Sequence, residues 1–173
     1  MVDRLWAPWR IGYVSGAATP APSCIFCAAL AGDDDRRSLV ILRSERAFLI
    51  LNAFPYASGH LMAAITRHGG GVIDATSAEL ADAMVLVQRG MRALRHAYRP
   101  DGFNVGVNEG RVAGAGVPDH LHVHIVPRWN GDTNFMPVIA GTTVVPQALR
   151  ELAVRLREAL AADSGLHPSR AAL

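Results

Sequence analysis

The sequence predicts an α+β fold, with a meandering antiparallel sheet of about five strands and helices packed against it. Short apolar segments of strand length recur along the chain and are separated by turn-forming residues. Two longer segments repeat their apolar residues every three or four positions, which is the period of an amphipathic helix. The chain has 173 residues, of which 50% are hydrophobic, so its apolar side chains suffice for the core of one ordinary domain.

The strands are predicted from apolar runs that lie between clusters of glycine, proline and charged residues. A loop at 15–23 and a charged turn at 33–37 come before the first strand. The first two strands are separated by a short polar segment, so we expect them to form a hairpin. The five predicted strands are Leu39–Leu42, Ala47–Leu51, Leu61–Thr66, Phe103–Asn108 and Leu121–Val126.

The longest predicted helix begins after Thr76, because Thr76 and Glu79 have the spacing of a capping box. Its apolar residues follow at intervals of three and four, so we expect this stripe to pack into the core, and Pro100 ends the helix. The stripe consists of Leu80, Met84, Val87, Met91, Leu94 and Tyr98. Pro146 is predicted to open a second helix. Its stripe consists of Leu149, Leu152, Leu156 and Leu160.

The composition narrows the class of protein. The formal net charge is only +2 at pH 7 and charges of both signs are interspersed, so we expect no nucleic-acid partner. No apolar stretch approaches the ~20 residues that a membrane-spanning helix needs, and the N-terminus lacks the apolar core of a signal peptide. The two cysteines are three positions apart, which is too close to staple a fold and suits a reducing compartment. We therefore expect a cytoplasmic protein without a membrane partner.

The most distinctive segment is His120–Arg128, in which three histidines alternate with aliphatic residues. Side chains two positions apart share one face of a strand, so His120, His122 and His124 should lie together while the aliphatic residues pack into the core. Histidine titrates near neutral pH and serves as a nucleophile, an acid, a base or a metal ligand. A half-exposed strand with incidental histidines is the alternative, but three of the 7 histidines lie here, which favours a reaction site.

This segment resembles the signature of the histidine triad family of nucleotide hydrolases and transferases, which is His-x-His-x-His with aliphatic residues at x. Leu49–Met62 is similar to the family's Asn…Pro-x-x-x-Gly-His segment, and Gly102–Asn108 is similar to the strand before its triad. Leu5–Arg10 and Trp129–Phe135 resemble a bacterial branch related to diadenosine tetraphosphate phosphorylases and hydrolases. The chain is therefore identified, by resemblance, as a member of this family.

The resemblance implies a single histidine triad domain at residues 5–160, with frayed termini at 1–4 and 164–173, in a fold that is commonly a homodimer. It implies an enzyme that cleaves a phosphoanhydride of an adenine (di)nucleotide, such as diadenosine tetraphosphate, through a nucleotidyl-histidine intermediate. The acceptor would be water or inorganic phosphate. A purine nucleoside phosphoramidase is the alternative enzyme. A zinc-stabilised nucleotide-binding module with little turnover is the alternative without catalysis.

The resemblance also assigns roles in the reaction centre. The central triad histidine, His122, matches the family's nucleophile, and His124 matches the histidine that contacts the phosphate. His60 matches an earlier histidine that completes the cluster, although a histidine in such a turn would as readily be structural. Asn52 matches the ribose-binding asparagine. Phe54 flanks that position and could wall a purine, with a place in the hairpin core as the alternative.

The loop between Asn108 and His120 is rich in glycine, whose backbone N–H groups can approach an anion closely. Asn108 matches a residue near the sugar or phosphate, and we interpret the loop as the phosphate cradle, formed by Gly114, Ala115, Gly116 and Val117. Many relatives have Gly-Gln-Ser or Gly-Gln-Thr here, so this chain lacks an amide and a hydroxyl beside the phosphate. The departure favours the phosphorylase-like branch and leaves room for inorganic phosphate, with Arg111 or Arg128 as a further contact.

The cysteine pair Cys24 and Cys27 has the spacing of half a tetrahedral zinc site. From the residues alone, a redox pair and two free thiols stay open. Zinc-containing relatives complete the site with a histidine after the second hairpin and the first triad histidine, which correspond to His68 and His120. The resemblance therefore implies one structural Zn²⁺ bound by all four residues. The glycine run Gly69–Gly71 directly after His68 could loosen that ligand.

Overall fold

The computed structural model describes residues 24–132 and 148–163, which form one antiparallel sheet and three α-helices. The strands are β1 (Val40–Arg43), β2 (Ala47–Leu51), β3 (Leu61–Ile65), β4 (Gly102–Gly106) and β5 (His122–Arg128). The helices are α1 (Ile25–Ala31), α2 (Ser77–Tyr98) and α3 (Leu149–Asp163), with one 3₁₀ turn at Arg111–Ala113. The predicted α+β fold and its five strands are confirmed. Of the helices in these ranges, none combines the length and apolar character of a membrane-spanning segment.

Several predicted features fall outside the described residues. These are the frayed termini at 1–4 and 164–173, the loop at 15–23 and the helix-opening Pro146. The likeness at Leu5–Arg10 also lies there. They stay predictions.

The sheet has the strand order β1-β2-β3-β5-β4, and every neighbouring pair is antiparallel. The chain meanders from β1 to β3. The helix α2 then connects β3 to the edge strand β4, which lies two positions away from β3 in the sheet. The last strand, β5, fills the vacant position, with Met62 opposite His124 and Ala64 opposite His122. The histidine strand is therefore interior to the sheet and hydrogen-bonded on both sides, which fixes its register.

Both faces of the sheet are covered, and β2 and β3 are buried at every position. One core cluster lies beneath α2 and α3 and includes Leu49, Leu61 and Ile125. The second cluster lies on the opposite face, where Phe26 of α1 packs near Phe48, with ring centroids 6.2 Å apart. This second face also carries the histidine side chains.

The helix α2 meets the sheet along a different line from the predicted stripe. Met84 was expected in the core, but it is 53% exposed. The buried positions are Glu79, Ala83, Leu86, Val87, Gly90, Ala93 and Leu94. A Cβ atom at Gly90 would lie 3.3 Å from methyl groups of both Leu49 and Leu61, so the helix approaches the sheet closely at its centre. Small residues must face the sheet there, and the larger Met84 is displaced to the side.

The predicted capping box at the start of α2 is confirmed and extended by an arginine. The Glu79 N–H donates to Thr76 Oγ1 at 3.2 Å, and the Thr76 N–H donates to Glu79 Oε2 at 2.8 Å. The Arg67 guanidinium also donates to both carboxylate oxygens of Glu79, at 2.8 and 3.0 Å. Arg67 and the Thr76 N–H and hydroxyl, which all donate to this carboxylate, lower the pKa of Glu79 to about 2. The carboxylate thus ties the segment after β3 to α2.

Glu79→Gln is expected to lower the melting temperature at neutral pH, because the amide replaces a charge that accepts from Arg67 and from the helix cap. The pKa of Glu79 is lowered in the folded state, so its stabilisation is present above the unfolded-state value of about 4.3 and is lost as the pH falls towards 2. The melting difference between wild type and variant should therefore narrow from pH 5 downwards in thermal scans. Glu45→Gln is the matched control, because its ion pair with Arg46 is exposed. A difference independent of pH would contradict this account.

Candidate active site and metal cluster

The strand β5 divides its side chains between the two faces of the sheet as predicted. Val123 and Ile125 lie in the core cluster under α2. His122 and His124 lie on the opposite face and line a cavity, while His120 lies two residues before the strand. His120 and His122 are themselves buried, at 1% and 4% exposure, because α1 covers this face. Buried imidazoles require partners for their nitrogens, and these partners determine what each ring can do.

The hydrogen bonds of His122 leave one of its nitrogens available as a nucleophile. His122 Nδ1 lies 2.7 Å from the carbonyl oxygen of His120, which can only accept, so Nδ1 carries the proton. The neutral ring therefore keeps its lone pair on Nε2. Burial lowers the pKa of His122, opposed in part by the same carbonyl, so the ring stays neutral near neutral pH.

His60 and His124 form a chain of donors with a defined direction. The backbone N–H of Tyr56 donates to His60 Nδ1 at 3.2 Å, and Asn52 Nδ2 lies 3.3 Å from the same nitrogen. His60 Nδ1 is thus an acceptor, and the proton of the neutral ring is on Nε2. This Nε2 lies 3.0 Å from His124 Nδ1. The network therefore assigns the His124 proton to Nε2 and makes that atom a donor.

A cavity of about 1090 Å³ opens on this face and is bounded by α1, the β1–β2 side of the sheet and the loop before β5. Among the predicted nucleotide-binding residues, its lining includes Asn52, Phe54, Gly114, Gly116 and Val117. Phe54 is 71% exposed, so its ring is not part of the hairpin core. Apolar side chains of Ile25, Ala29 and Ile50 supply much of the wall. This mixture of apolar wall and few polar groups is typical of a small-molecule site.

Other predicted contacts lie outside this lining. Asn108 follows the end of β4, and Ala115 is buried, but neither lines the cavity. Arg128, which was expected to reach towards a phosphate, instead pairs with Asp132, with Nε and Oδ2 2.6 Å apart. Arg111 also lies away from the cavity. Arg37, which is distant from the triad in the sequence, is the one arginine in the described lining.

The predicted metal ligands converge in space. The ligand atoms of Cys24, Cys27, His68 and His120 all lie within 4.8 Å of one another. Three sulfur–nitrogen distances are 3.3, 3.4 and 3.6 Å, close to the roughly 3.5 Å edge that Zn–S and Zn–N bonds of normal length imply for a tetrahedron. His120 Nε2 lies 2.7 Å from the Ile65 carbonyl oxygen, so it carries the proton and Nδ1 is free to bind. The donor set fits a tetrahedral thiophilic cation.

Two adjacent thiolates at this position would need a cation to neutralise them. Burial and the neighbouring Cys24 raise the pKa of the Cys27 thiol. A bound cation would reverse this effect and stabilise two adjacent thiolates. The described cysteines form no disulfide with each other, so a structural disulfide does not occupy the pair.

The glycine run after His68 holds this ligand in place. A Cβ atom at Gly70 would lie 2.6 Å from the Pro118 carbonyl oxygen, so only glycine permits this backbone approach. The Leu121 N–H donates to the Gly69 carbonyl oxygen at 2.7 Å. The segment after His68 is thereby bonded to the residues around His120. The run thus brings the two histidine ligands together.

Two aromatic residues of the site were not predicted from the sequence. Phe26, between the cysteines, is 1% exposed and its ring centroid lies 5.0 Å from His120 and 4.8 Å from His122. Tyr56 lies 4.5 Å from His60 and 5.8 Å from His124 by the same measure. Phe26 could have been found from its position within the Cys-x-x-Cys segment. If the two cysteines lie close to His120, the residue between them must lie close to it as well. Tyr56 had a weaker signal, its place in the turn before His60.

Comparisons with known proteins agree with this geometry. The pattern of the HIT domain family matches residues 34–131, which is more than half of the chain. An AP-4-A phosphorylase from Mycobacterium tuberculosis is 39% identical over 159 residues, covering 87% of this chain and 80% of the relative. The chain belongs to the HIT domain family.

Other HIT relatives extend the comparison to structure. A Zn-bound histidine triad family protein from Mycobacterium smegmatis has a crystal structure with a TM-score of 0.67 and 31% identity, covering 83% of this chain and 98% of that one. An adenosine 5′-monophosphoramidase from Saccharomyces cerevisiae is 32% identical over 115 residues, or 66% of this chain and 68% of the relative. Cys24 and Cys27 precede the residues that the HIT pattern matches. The metal cluster therefore joins a segment outside that match to the triad.

Gly59→Ala is expected to destabilise the HIT domain by about 2 kcal/mol, through a left-handed backbone and overpacking. Gly59 has φ +84°, and a Cβ atom there would lie 2.9 Å from Leu94 Cδ2 and 3.3 Å from Pro127 Cγ. Thermal or urea unfolding measures the change. Gly102→Ala is the control, since a Cβ atom there meets nothing within 4 Å. Equal losses in the two variants would show that the turn before His60 is not constrained as described.

Proposed function

We propose that this protein is a nucleotidyl transferase or hydrolase that cleaves diadenosine tetraphosphate or a similar adenine dinucleotide, with His122 as the nucleophile. The observation that carries the proposal is the bond from His122 Nδ1 to the His120 carbonyl oxygen, at 2.7 Å. It leaves the Nε2 lone pair on a neutral imidazole that lines a large cavity. A binding module without turnover would not need a nucleophile held in this state.

In the proposed reaction, His122 Nε2 forms a bond to the α-phosphorus while the bond from that phosphorus to the bridging oxygen breaks. ATP leaves as an anion, and His124 Nε2–H donates a hydrogen bond to the departing oxygen. The His122 ring becomes cationic, and the His120 carbonyl continues to accept from its Nδ1–H. Inorganic phosphate or water then attacks the phosphorus, the N–P bond breaks, and ADP or AMP is released with neutral His122 restored.

Phosphate is the acceptor that we propose. The cavity-lining loop residues Gly116 and Val117 carry no side-chain amide or hydroxyl, so the leaving-group region keeps space and backbone donors. A cavity of about 1090 Å³ is also slightly larger than the range of roughly 300–1000 Å³ that is usual for a small-ligand site. The 39% identity to an AP-4-A phosphorylase supports the same assignment. A purine nucleoside phosphoramidase is the second candidate, supported by the yeast monophosphoramidase, which is the more distant relative at 32% identity.

We also propose that the cation of the cluster is a structural Zn²⁺. Two thiolates and two imidazoles are the donors that zinc prefers in closed tetrahedral sites. The similarity to a Zn-bound histidine triad protein supports this identity. When bound, the ion would tie α1 and the segment after β3 to the start of the triad strand.

A homodimer in the cytoplasm is the assembly that we infer. The strand β4 is an edge strand of the sheet, and its Val105 is 42% exposed. Met84 of α2 and Val72 are exposed nearby and line, with Val105, a small apolar hollow of about 240 Å³. An edge strand beside exposed apolar side chains supports a contact with a second copy.

Metal analysis is expected to give one zinc per chain. Cys24→Ser should lose the metal and lower the melting temperature more than it alters nucleotide affinity, because a structural site contributes folding free energy. His96→Ala, an exposed histidine outside the cluster, is the control and should keep its zinc. A chain whose melting temperature is the same before and after chelation would refute the structural role.

His122→Ala is expected to lower turnover of diadenosine tetraphosphate by at least about a thousandfold, while the dissociation constant changes little, because only the covalent route is lost. His96→Ala again serves as the control. Chromatography should show ADP and ATP from the wild type in phosphate buffer. If AMP and ATP form in the presence and absence of phosphate at one rate, the protein is a hydrolase and the inference from the loop is wrong.

A further inference from the structure

We propose that Tyr56 is a positioning residue, which holds His60 and His124 so that His124 Nε2–H meets the departing oxygen of the substrate. This inference rests on the proposed function and deepens it. Tyr56 lines the cavity and is 38% exposed, so its ring lies between solvent and the buried His60. The ring and the backbone of Tyr56 act on the pair in two separate ways.

The backbone of Tyr56 sets the direction of the donor chain. Its N–H donates to His60 Nδ1 at 3.2 Å. Asn52 Oδ1 accepts from the Phe54 N–H at 2.9 Å, so the Asn52 amide turns its Nδ2 towards the same imidazole nitrogen, at 3.3 Å. Two donors converge on Nδ1, which makes Nε2 the protonated nitrogen of His60. The direction from His60 to His124 therefore originates in the turn that carries Tyr56.

The ring of Tyr56 fixes the planes of the two imidazoles. It lies 4.5 Å from the His60 ring and 5.8 Å from the His124 ring, with planes inclined at 41° and 29°. The imidazoles are 5.1 Å apart, and His60 Nε2 lies 3.0 Å from His124 Nδ1. The Tyr56 ring packs against both members of this pair and restricts their rotation about the Cβ–Cγ bonds.

The turn itself is held rigidly enough to position a side chain. The Asn52 N–H donates to the His60 carbonyl oxygen at 2.9 Å, and the His60 N–H donates to the Ala57 carbonyl oxygen at 3.1 Å. These bonds close the turn at both ends, and Pro55 fixes one φ angle within it. Tyr56 is therefore placed by backbone bonds that do not depend on its own side chain.

The expected consequence is selective for the leaving group. In the proposed step the P–O bond breaks and its electron pair stays on the departing oxygen, where a hydrogen bond from His124 Nε2 stabilises the new charge. A leaving group that delocalises this charge, such as 4-nitrophenolate, needs little help from the donor. A less acidic phenol as the leaving group needs more stabilisation from this hydrogen bond. Loss of the Tyr56 ring should therefore slow poor leaving groups and spare good ones.

The test uses a series of aryl esters of AMP, from 4-nitrophenyl to phenyl, with wild type, Tyr56→Leu, Tyr56→Phe and His124→Ala. In Tyr56→Leu we expect kcat to stay within about twofold for the nitrophenyl ester and to fall about tenfold for the phenyl ester, with KM little changed. The plot of log kcat against phenol acidity should steepen, as it should in His124→Ala. The conservative Tyr56→Phe keeps the ring and the backbone N–H, so it should restore the wild-type slope.

Parallel plots for Tyr56→Leu and wild type would overturn the proposal, because a purely structural role lowers every rate by one factor. Nitrogen-15 spectra of labelled histidine provide a readout that does not need turnover. Wild type and Tyr56→Phe should show His124 protonated on Nε2. Tyr56→Leu should show a mixture of His124 tautomers, because the backbone donors still fix His60 while no ring holds its contact with His124 Nδ1. Unchanged spectra in Tyr56→Leu would also overturn the positioning role. A wild type that leaves diadenosine tetraphosphate intact as well as all the esters would instead refute the proposed function, and the spectra would still decide the role of Tyr56.

Discussion

The arrangement of the site depends on His120, which makes three different contacts with three parts of the molecule. Its Nδ1 lies 3.3 Å from Cys24 Sγ, and its Nε2 lies 2.7 Å from the Ile65 carbonyl oxygen. Its own carbonyl oxygen lies 2.7 Å from His122 Nδ1. The ring is thus fixed between the cysteines and the end of β3, and its backbone carbonyl fixes the tautomer of the neighbouring His122. Any displacement of His120 would change the direction in which the His122 lone pair points.

Because these histidine rings are buried, their hydrogen bonds are necessary for the stability of the fold. An imidazole nitrogen without a partner in an apolar environment costs about 1–3 kcal/mol, so each buried ring adopts the tautomer that its surroundings can satisfy. Phe26 packs on His120 and His122 and keeps water from that side, which also lowers the pKa of both histidines. Burial thus imposes a free-energy cost on any unpartnered ring nitrogen, and it also restricts each ring to one protonation state. The apolar wall therefore contributes to the chemistry and not only to the packing.

The strands could be predicted from the sequence, because alternation is local, whereas His68 and His120 were assigned to the cysteine pair only by resemblance to zinc-containing relatives. Three other features of the structure could not be predicted from the sequence. The face that α2 turns to the sheet depends on the close approach at Gly90, which no helical periodicity encodes. The protonated nitrogen of His120 is decided by Ile65, which is 55 positions away in sequence. The contact of Phe26 with His122 requires α1 to lie against β5, and short-range patterns do not specify such a docking.

The position of the cluster determines how a metal can act here. In the part of the chain that the structure describes, the cavity lining includes His122 and His124 but none of the four ligand residues. His120 directs its Nδ1 towards the cysteines, and it reaches His122 only through its backbone carbonyl. A cation bound there would lie among residues that do not line the cavity. Its effect on the proposed reaction would therefore be positional, because it would hold the carbonyl that accepts from His122 Nδ1 and would offer no open coordination site to a phosphate oxygen.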